Sequence, residues 1–394
     1  MPYSIGTPAT GDNNAAGTSI ATSTTITAAA GDTIVVLGTV AGADLTASIA
    51  ASDGTNTYTL RQVSYNPTQN FAELVAENVA AGTYTVTLSW DGSSRTGRGV
   101  YAIPVSGLKS ASYQTGAATT QATPGTGTDG ITTGNMTPTG QPACVIGAVI
   151  NAGSLATPAA GTGYTSIGTA WQFGFGTDLM RVEHQRITST AALALTGTAS
   201  ADVRHFAVAV ILTEKITLSA PTATSVTATG ATIGATTDQA SGTLYVVVDS
   251  AANLAGVTAS QVKAGQKASG SAALSSGNSA VSTTTPSVAI TGLVSGTLYS
   301  AAIVQNNTNG DSNLLTTTFT TNAATFEQKH FRWRNDDGSE TTATWAAAED
   351  TPISLAKNTP VRLRVEIGAT NDPASAAYKL QYRKVGDSTW RDIN

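Results

Sequence analysis

A single cysteine, Cys144, occurs in 394 residues, so no intrachain disulfide can form. Charge is scarce as well: residues 1–322 hold 25 of the 45 Asp, Glu, Lys and Arg, and the last 72 hold the other 20. The Glu, Lys, Leu and Arg from which surface helices are built are thin over four-fifths of the chain, which argues against a helical protein. A net charge of −5 leaves no basic stripe to neutralise phosphates, and no nucleic-acid partner is expected. No run approaches the roughly 18 apolar residues of a membrane-spanning helix. The opening Met-Pro-Tyr-Ser-Ile-Gly lacks the basic and apolar regions of a secretory leader. With no leader and no disulfide framework, the chain is expected to fold in a cytoplasm.

What fills the charge-poor part is Thr, Ala, Gly, Ser and Val in short alternating runs, the stock of pleated sheet with tight turns. Strands are predicted at Thr33–Thr39, Thr83–Trp90, Gly99–Val105, Cys144–Ile150, Met180–Ile187 and Val203–Leu212. In Thr83–Trp90, Tyr84, Val86, Leu88 and Trp90 share one face. Ala81-Gly82, Asp91-Gly92, Ser106-Gly107 and Asp129-Gly130 mark turns between them. Residues 111–142, rich in Thr, Gly, Pro and Gln, read as a long excursion within one sandwich. The predicted fold class is therefore all-β, with tandem β-sandwich domains. The first, residues 1–215, is a jelly-roll or immunoglobulin-like sandwich.

Residues 216–322 form the second. Here Ala231-Thr232-Ile233, Leu244-Tyr245-Val246-Val247-Val248 and the decapeptide Ile290-Thr291-Gly292-Leu293-Val294-Ser295-Gly296-Thr297-Leu298-Tyr299 resemble a fibronectin type III module. The resemblance implies a structural tyrosine corner, with Gly296 turning the chain and the Tyr299 hydroxyl reaching backbone across it. The early core Trp of that family is absent, and residues 251–285 are an unusually long middle in which Ser260–Gln266 reads as a short helix. Residues 323–394 make a third unit, predicted as a small C-terminal β-sandwich. Phe331/Trp333, Val361/Leu363/Val365/Ile367 and Tyr378/Leu380/Tyr382 alternate, and Trp333, Trp345 and Trp390 are expected to supply its core.

Candidate chemistry is sparse. Ala143-Cys144-Val145-Ile146-Gly147 reads as a buried strand in which the thiol behaves as a small hydrophobe, with no cationic or helix-terminal activator nearby. His184 and His205 lie in strands that could pair, without a third metal ligand to join them, and His330 stands alone. Asn306–Asn313 offers oxygen ligands without the spacing of a calcium loop, and Asn335-Asp336-Asp337-Gly338 reads as a hairpin turn. No catalytic residue, metal or cofactor is assigned. Tyr164, Trp171 and Phe173, with Phe175 beyond, are the candidates for stacking on a glycan. The alternative is that they alternate because they fill a core.

Tandem sandwiches of this composition, without leader or disulfide and with a C-terminal Trp-Arg-Asn-Asp-Asp-Gly-Ser-Glu segment, resemble modules appended to tailed-bacteriophage head and tail proteins. The resemblance implies a non-catalytic virion surface protein: a capsid decoration, head fibre or tail fibre. Its partners would be other virion proteins, with possible host surface polysaccharide, and it would be oligomeric in the particle. A carbohydrate-binding or adhesin module of a bacterial surface protein or secreted enzyme, and a hydrolase with dispersed carboxylates, are the alternatives.

Overall fold

The computed structural model of the chain describes residues 3–121, 129–153, 156–173, 178–199, 204–370 and 379–393. It is all-β: among these residues helix is confined to Ala251–Leu254 (α1) and Ala259–Lys263 (α2). The chain divides into two compact units. The first comprises Met1–Thr217 with the short stretches Thr237–Gly242 and Gln305–Asn313; the second comprises Leu218–Thr236, Thr243–Val304 and Leu314–Asn394. Phe175, Tyr378 and part of the 111–142 segment lie outside the described residues.

The first unit contains two sandwiches where one was expected. Residues 3–106 supply Ser4–Ile5 (β1), Ala9–Asn13 (β2), Ser19–Ala21 (β3), Ile26–Ala28 (β4), Thr33–Ala41 (β5) and Ala50–Ser52 (β6). Thr59–Asn66 (β7), Gln69–Ala76 (β8), Gly82–Tyr84 (β9), Thr87–Ser89 (β10) and Arg98–Ser106 (β11) follow. The large sheet runs β1-β11-β5-β8-β7, with β2 also on β11; the small one runs β3-β10-β6, and β4 pairs with β9. The predicted strand Thr83–Trp90 is thus broken between two sheets. Its buried face is nonetheless single, since Tyr84, Val86, Leu88 and Trp90 all enter one core.

Residues 108–214 repeat this plan. They supply Leu108–Gln121 (β12), Asp129–Thr132 (β13), Ala143–Ala152 (β14), Ala159–Ala160 (β15) and Thr165–Ser166 (β16). Trp171–Phe173 (β17), Asp178–Ile187 (β18), Thr196–Ala199 (β19) and Arg204–Glu214 (β20) complete them. The large sheet is β12-β20-β14-β18-β16, with β17 also on β18, and the small one is β13-β19-β15. A bridge between Met136 and Leu193 stands where β4 and β9 pair. Strand for strand, β12, β20, β14 and β18 take the places of β1/β2, β11, β5 and β8. Two double-sheet sandwiches of jelly-roll type result.

Their large sheets pack face to face, so the central strands are buried on both sides. On β5, Val35 and Leu37 face the shared layer, while Ile34, Val36 and Val40 face the first sandwich's own core. On β20, Phe206, Val208, Val210 and Leu212 face the shared layer, and Ala207, Ala209 and Ile211 the second sandwich's core. Each such Val, Leu, Ile or Phe stabilises by about 1.5–3 kcal/mol on burial. Polar contacts fix the register across the layer: Ser64 Oγ donates to the Thr119 carbonyl at 2.7 Å, and Tyr101 Oη to the Ile167 carbonyl at 3.1 Å.

Leu218–Thr224 (β21), Gly230–Thr237 (β22), Thr243–Asp249 (β23), Ser275–Ala280 (β24), Ser287–Thr291 (β25), Leu298–Asn307 (β26), Gly310–Asp311 (β27) and Leu315–Thr320 (β28) build a further sandwich, drawn mainly from the second unit, while β27 and the last residues of β22 and β26 count with the first. Its sheets are β21-β22-β25 and β24-β23-β26, with β27 and β28 both on β26. Thr258 and Gln261 form a capping box that starts α2, at the place where a short helix is predicted. Leu254, Val257 and Val262 then cover the outer face of β23 and β26 through Val247, Ala302 and Val304. The long middle is a lid over one sheet.

Thr325–Asn335 (β29) pairs with Val361–Thr370 (β30), and Gln381–Tyr382 (β31) with Arg391–Asp392 (β32). Two of the three tryptophans expected to fill a core here do not: Trp345 and Trp390 are 39% and 56% exposed, while Trp333 is half-buried. The reason is local. Arg332 and Arg334 lie over the Trp345 ring and Arg383 over that of Trp390, so these rings meet cations rather than aliphatic neighbours. Asn335–Gly338 is not a tight hairpin either, because the chain runs on for a further 22 residues before β30.

Candidate functional site

The three aromatic candidates are placed by two different cores. Trp171 and Phe173 sit on β17, paired with Met180 and Asp178 of β18. Phe173 is 1% exposed within the shared layer. Trp171 is half-buried and stacked on Phe173, with centroids 5.3 Å apart, and lies 5.8 Å from Tyr101. A Cβ on Gly99 would stand 2.8 Å from the indole, so that glycine makes the room it occupies. Tyr164 packs instead against the second sandwich's own core, and its hydroxyl donates to the Ala194 carbonyl at 3.1 Å. The trio forms no common platform.

Polar groups penetrate the shared layer. Tyr3 Oη and His184 Nδ1 are 2.5 Å apart, with the rings edge to face. Arg186 grips Glu214 through Nε–Oε1 and Nη2–Oε2 contacts of 2.8 Å each. Cys144 is fully buried nearby. Burial raises its thiol pKa well above the ordinary value and lowers that of the His184 imidazole. Both shifts favour the neutral forms, the reverse of a thiolate–imidazolium pair. Glu73 is wholly buried between Phe71 and Val75 on β8, without a hydrogen-bond partner for either oxygen among the described residues. Burial pushes its carboxyl well up and that of Glu183 to about 7.

His184 and His205 are not brought together. Their strands β18 and β20 both pair with β14, where His184 stands opposite Ile146 and His205 opposite Asn151. The oxygen-rich Asn306–Asn313 segment folds on itself: Asn306 Nδ2 donates to Asp311 Oδ1 at 2.6 Å, and Asn309 Nδ2 to the Glu214 carbonyl at 3.2 Å. The tyrosine corner forms. Tyr299 is 4% exposed, its hydroxyl accepts from the Val294 amide at 3.0 Å, and Gly296 supplies the left-handed turn at φ 63°.

His330 does not stand alone. Its Nδ1 lies 2.6 Å from Asp350 Oδ2 and 3.6 Å from Glu349 Oε1, and the three residues offer ligand atoms within 4.8 Å of one another. All three are exposed. The Asp350 hydrogen bond raises the imidazole pKa, and Asp350 Oδ1 also accepts from the Phe331 amide at 2.9 Å. These residues could hold a divalent cation, and equally serve as an ion-paired clasp between β29 and the segment that follows it. Nothing in the local sequence announces this group, because its members are 19 and 20 residues apart.

No family model matches the sequence, and no curated protein matches it. Among solved structures, a chain described as "Biofilm associated protein - BSP domain" aligns over 94% of this chain and 97% of its own, at 8% identity and a TM-score of 0.18. A superposition that loose carries no argument about function. The class of protein stands on the strands themselves: an all-β chain of β-sandwiches in series. No helix among the described residues is long and apolar enough to cross a membrane.

Proposed function

We propose that the chain is a non-catalytic structural protein displayed on a phage particle, as a head decoration or fibre or a tail-associated fibre. It docks on capsid or tail proteins and offers its sandwiches to host surface glycans. The observation that carries this reading is the doubly buried layer of the first unit. Its most apolar strands, β5, β14 and β20, are spent on joining two sandwiches into one stiff body. The aromatics Tyr101, Trp171 and Phe173 and the polar pair Tyr3–His184 also serve that junction. Such a body suits a protein that must hold a shape on an assembly. A chain folded in the host cytoplasm and released by lysis also has no need of disulfides. Mass spectrometry of purified particles tests the reading: peptides of this chain at a fixed ratio to the major capsid or tail protein support it. Their absence from particles, with the chain recovered on a bacterial envelope, would transfer it to a bacterial adhesin.

A further inference from the structure

Four arginines share one face of the β29–β30 ladder, and the register sets like charges directly against each other. Arg332 stands opposite Arg364, and Arg334 opposite Arg362. Like charges so opposed destabilise a strand pair. Three of the four are compensated within the chain. Arg332 Nε donates to the Ala347 carbonyl at 3.1 Å, and its guanidinium carbon lies 4.1 Å from the centre of the Trp345 ring. Arg334 is buried, donates to the Glu340 and Ala343 carbonyls, and meets the same ring at 4.6 Å. Arg362 Nη2 pairs with Asp336 at 2.6 Å. Arg364 is exposed and has no side-chain partner among the described residues.

That unspent guanidinium lines two openings on the same face. One, of about 360 Å³, also has His330, Arg332, Trp345, Glu349 and Glu366 on its walls. The other, of about 150 Å³, adds Glu340 and Arg362. Trp345 is 39% exposed and shares the wall of the first opening with Arg364, while two guanidinium groups over its ring and backbone hydrogen bonds on either side, Asn335 N to Thr344 O and Ala346 N to Trp333 O, fix its place. A fixed aromatic surface beside a free guanidinium is the donor set for a ring that is apolar on one face and carries an anion on its rim. The ring stacks, and the arginine fork takes the anion through two parallel hydrogen bonds. Glu349 and Glu366 add acceptors for hydroxyl groups. Those two carboxylates would repel a densely charged phosphate chain, whereas a saccharide with one charge per ring accommodates them.

We infer that this face binds an acidic saccharide, with Trp345 as the stacking surface and Arg364 as the anion contact. This deepens the glycan contact of the proposed function by naming the ligand class, and it moves that contact away from Trp171 and Phe173.

The test is calorimetric titration of the full chain at low salt with four probes. These are oligogalacturonate, its methyl ester, polysialic acid, and inorganic polyphosphate, which has charge without rings. A glycerol-phosphate oligomer added as a fifth arm separates carboxylate from phosphate as the source of the anion. The expected result is binding to at least one carboxylated saccharide, weaker by about tenfold or more for the ester and for Arg364→Ala, the cost of losing one bidentate charge-assisted pair. Arg364→Lys should fall between. Arg364 is exposed and unpartnered, so Arg364→Lys should unfold at the wild-type temperature and Arg364→Ala, relieved of the opposing Arg332, at that temperature or slightly above it. Trp345→Ala, which can loosen the segment, is read only alongside that control. Absence of binding to both carboxylated saccharides, equal binding by Arg364→Ala, or polyphosphate binding as tight as the saccharides would each overturn the inference. Particles that carry a chain unable to bind would defeat this inference alone, and a binding chain absent from particles would defeat the virion reading alone.

Discussion

Glu73 stands opposite Leu37 in the β5–β8 ladder, with its carboxyl sealed inside the layer shared by the two sandwiches. A carboxyl whose folded pKa is raised binds its proton more tightly in the folded state. Its stabilising contribution is complete below the ordinary value of 4.5 and is lost as pH rises through the folded value. Glu183 (raised to about 7) and Asp178 (raised) act in the same direction. His184, lowered, acts oppositely: its contribution is present above 6.5 and lost as pH falls. Glu73→Gln should therefore stabilise the protein at pH 8 and change little at pH 4.5. Denaturant unfolding at the two pH values checks this. A destabilisation of equal size at both would show that the carboxyl has a partner.

Tyr299→Phe removes the hydroxyl that satisfies the Val294 amide. It should cost about 0.5–1.5 kcal/mol by chemical denaturation, the net worth of one part-buried hydrogen bond. Gly296→Ala, forced into a left-handed turn, should cost a comparable amount, about 1 kcal/mol. A neutral Tyr299→Phe would mean that water replaces the hydroxyl.

Phe173→Ala and Trp171→Ala open holes in the shared layer. Phe173→Ala should cost about 3–5 kcal/mol, and the half-buried Trp171 less. The glycan affinity of the folded protein should stay at the wild-type value in both. Loss of affinity at unchanged stability would restore these residues as glycan contacts.

A fragment ending at Ser106 should not remain a monomer. It would expose Val35, Leu37, Phe71, Val75, Tyr101, Ile103 and Val105, one continuous apolar sheet face. Analytical ultracentrifugation should find self-association, and a well-folded monomer would show that the shared layer is dispensable.

Local features were legible in the sequence and relational ones were not. The tyrosine corner could be read because Leu293, Gly296 and Tyr299 lie within seven residues and each has a conformational reason for its place. Cys144 could be read because its neighbours are apolar on both sides. The pairing of two sandwiches could not. A strand such as Ala143–Ala152, buried on both faces, loses the alternation that would say which side meets which partner. Residues 111–142 looked like an excursion because the Thr-rich β12, half-covered along most of its length, has too little apolar content to announce a strand. In the last 72 residues alternation marked Phe331/Trp333 and Leu363/Val365 as separate strand faces, and only the ladder shows that they pair with each other. Alternation could not say that Trp345 would be held by arginines, since that follows from cross-strand register and not from composition.

The most direct measurement is immunogold electron microscopy of purified particles with antibody raised against residues 323–394. The account predicts gold at regular positions on the outside of intact heads or tails, at constant copy number per particle. Particles bare of gold, with the antigen confined to soluble protein or to the bacterial envelope, would contradict it.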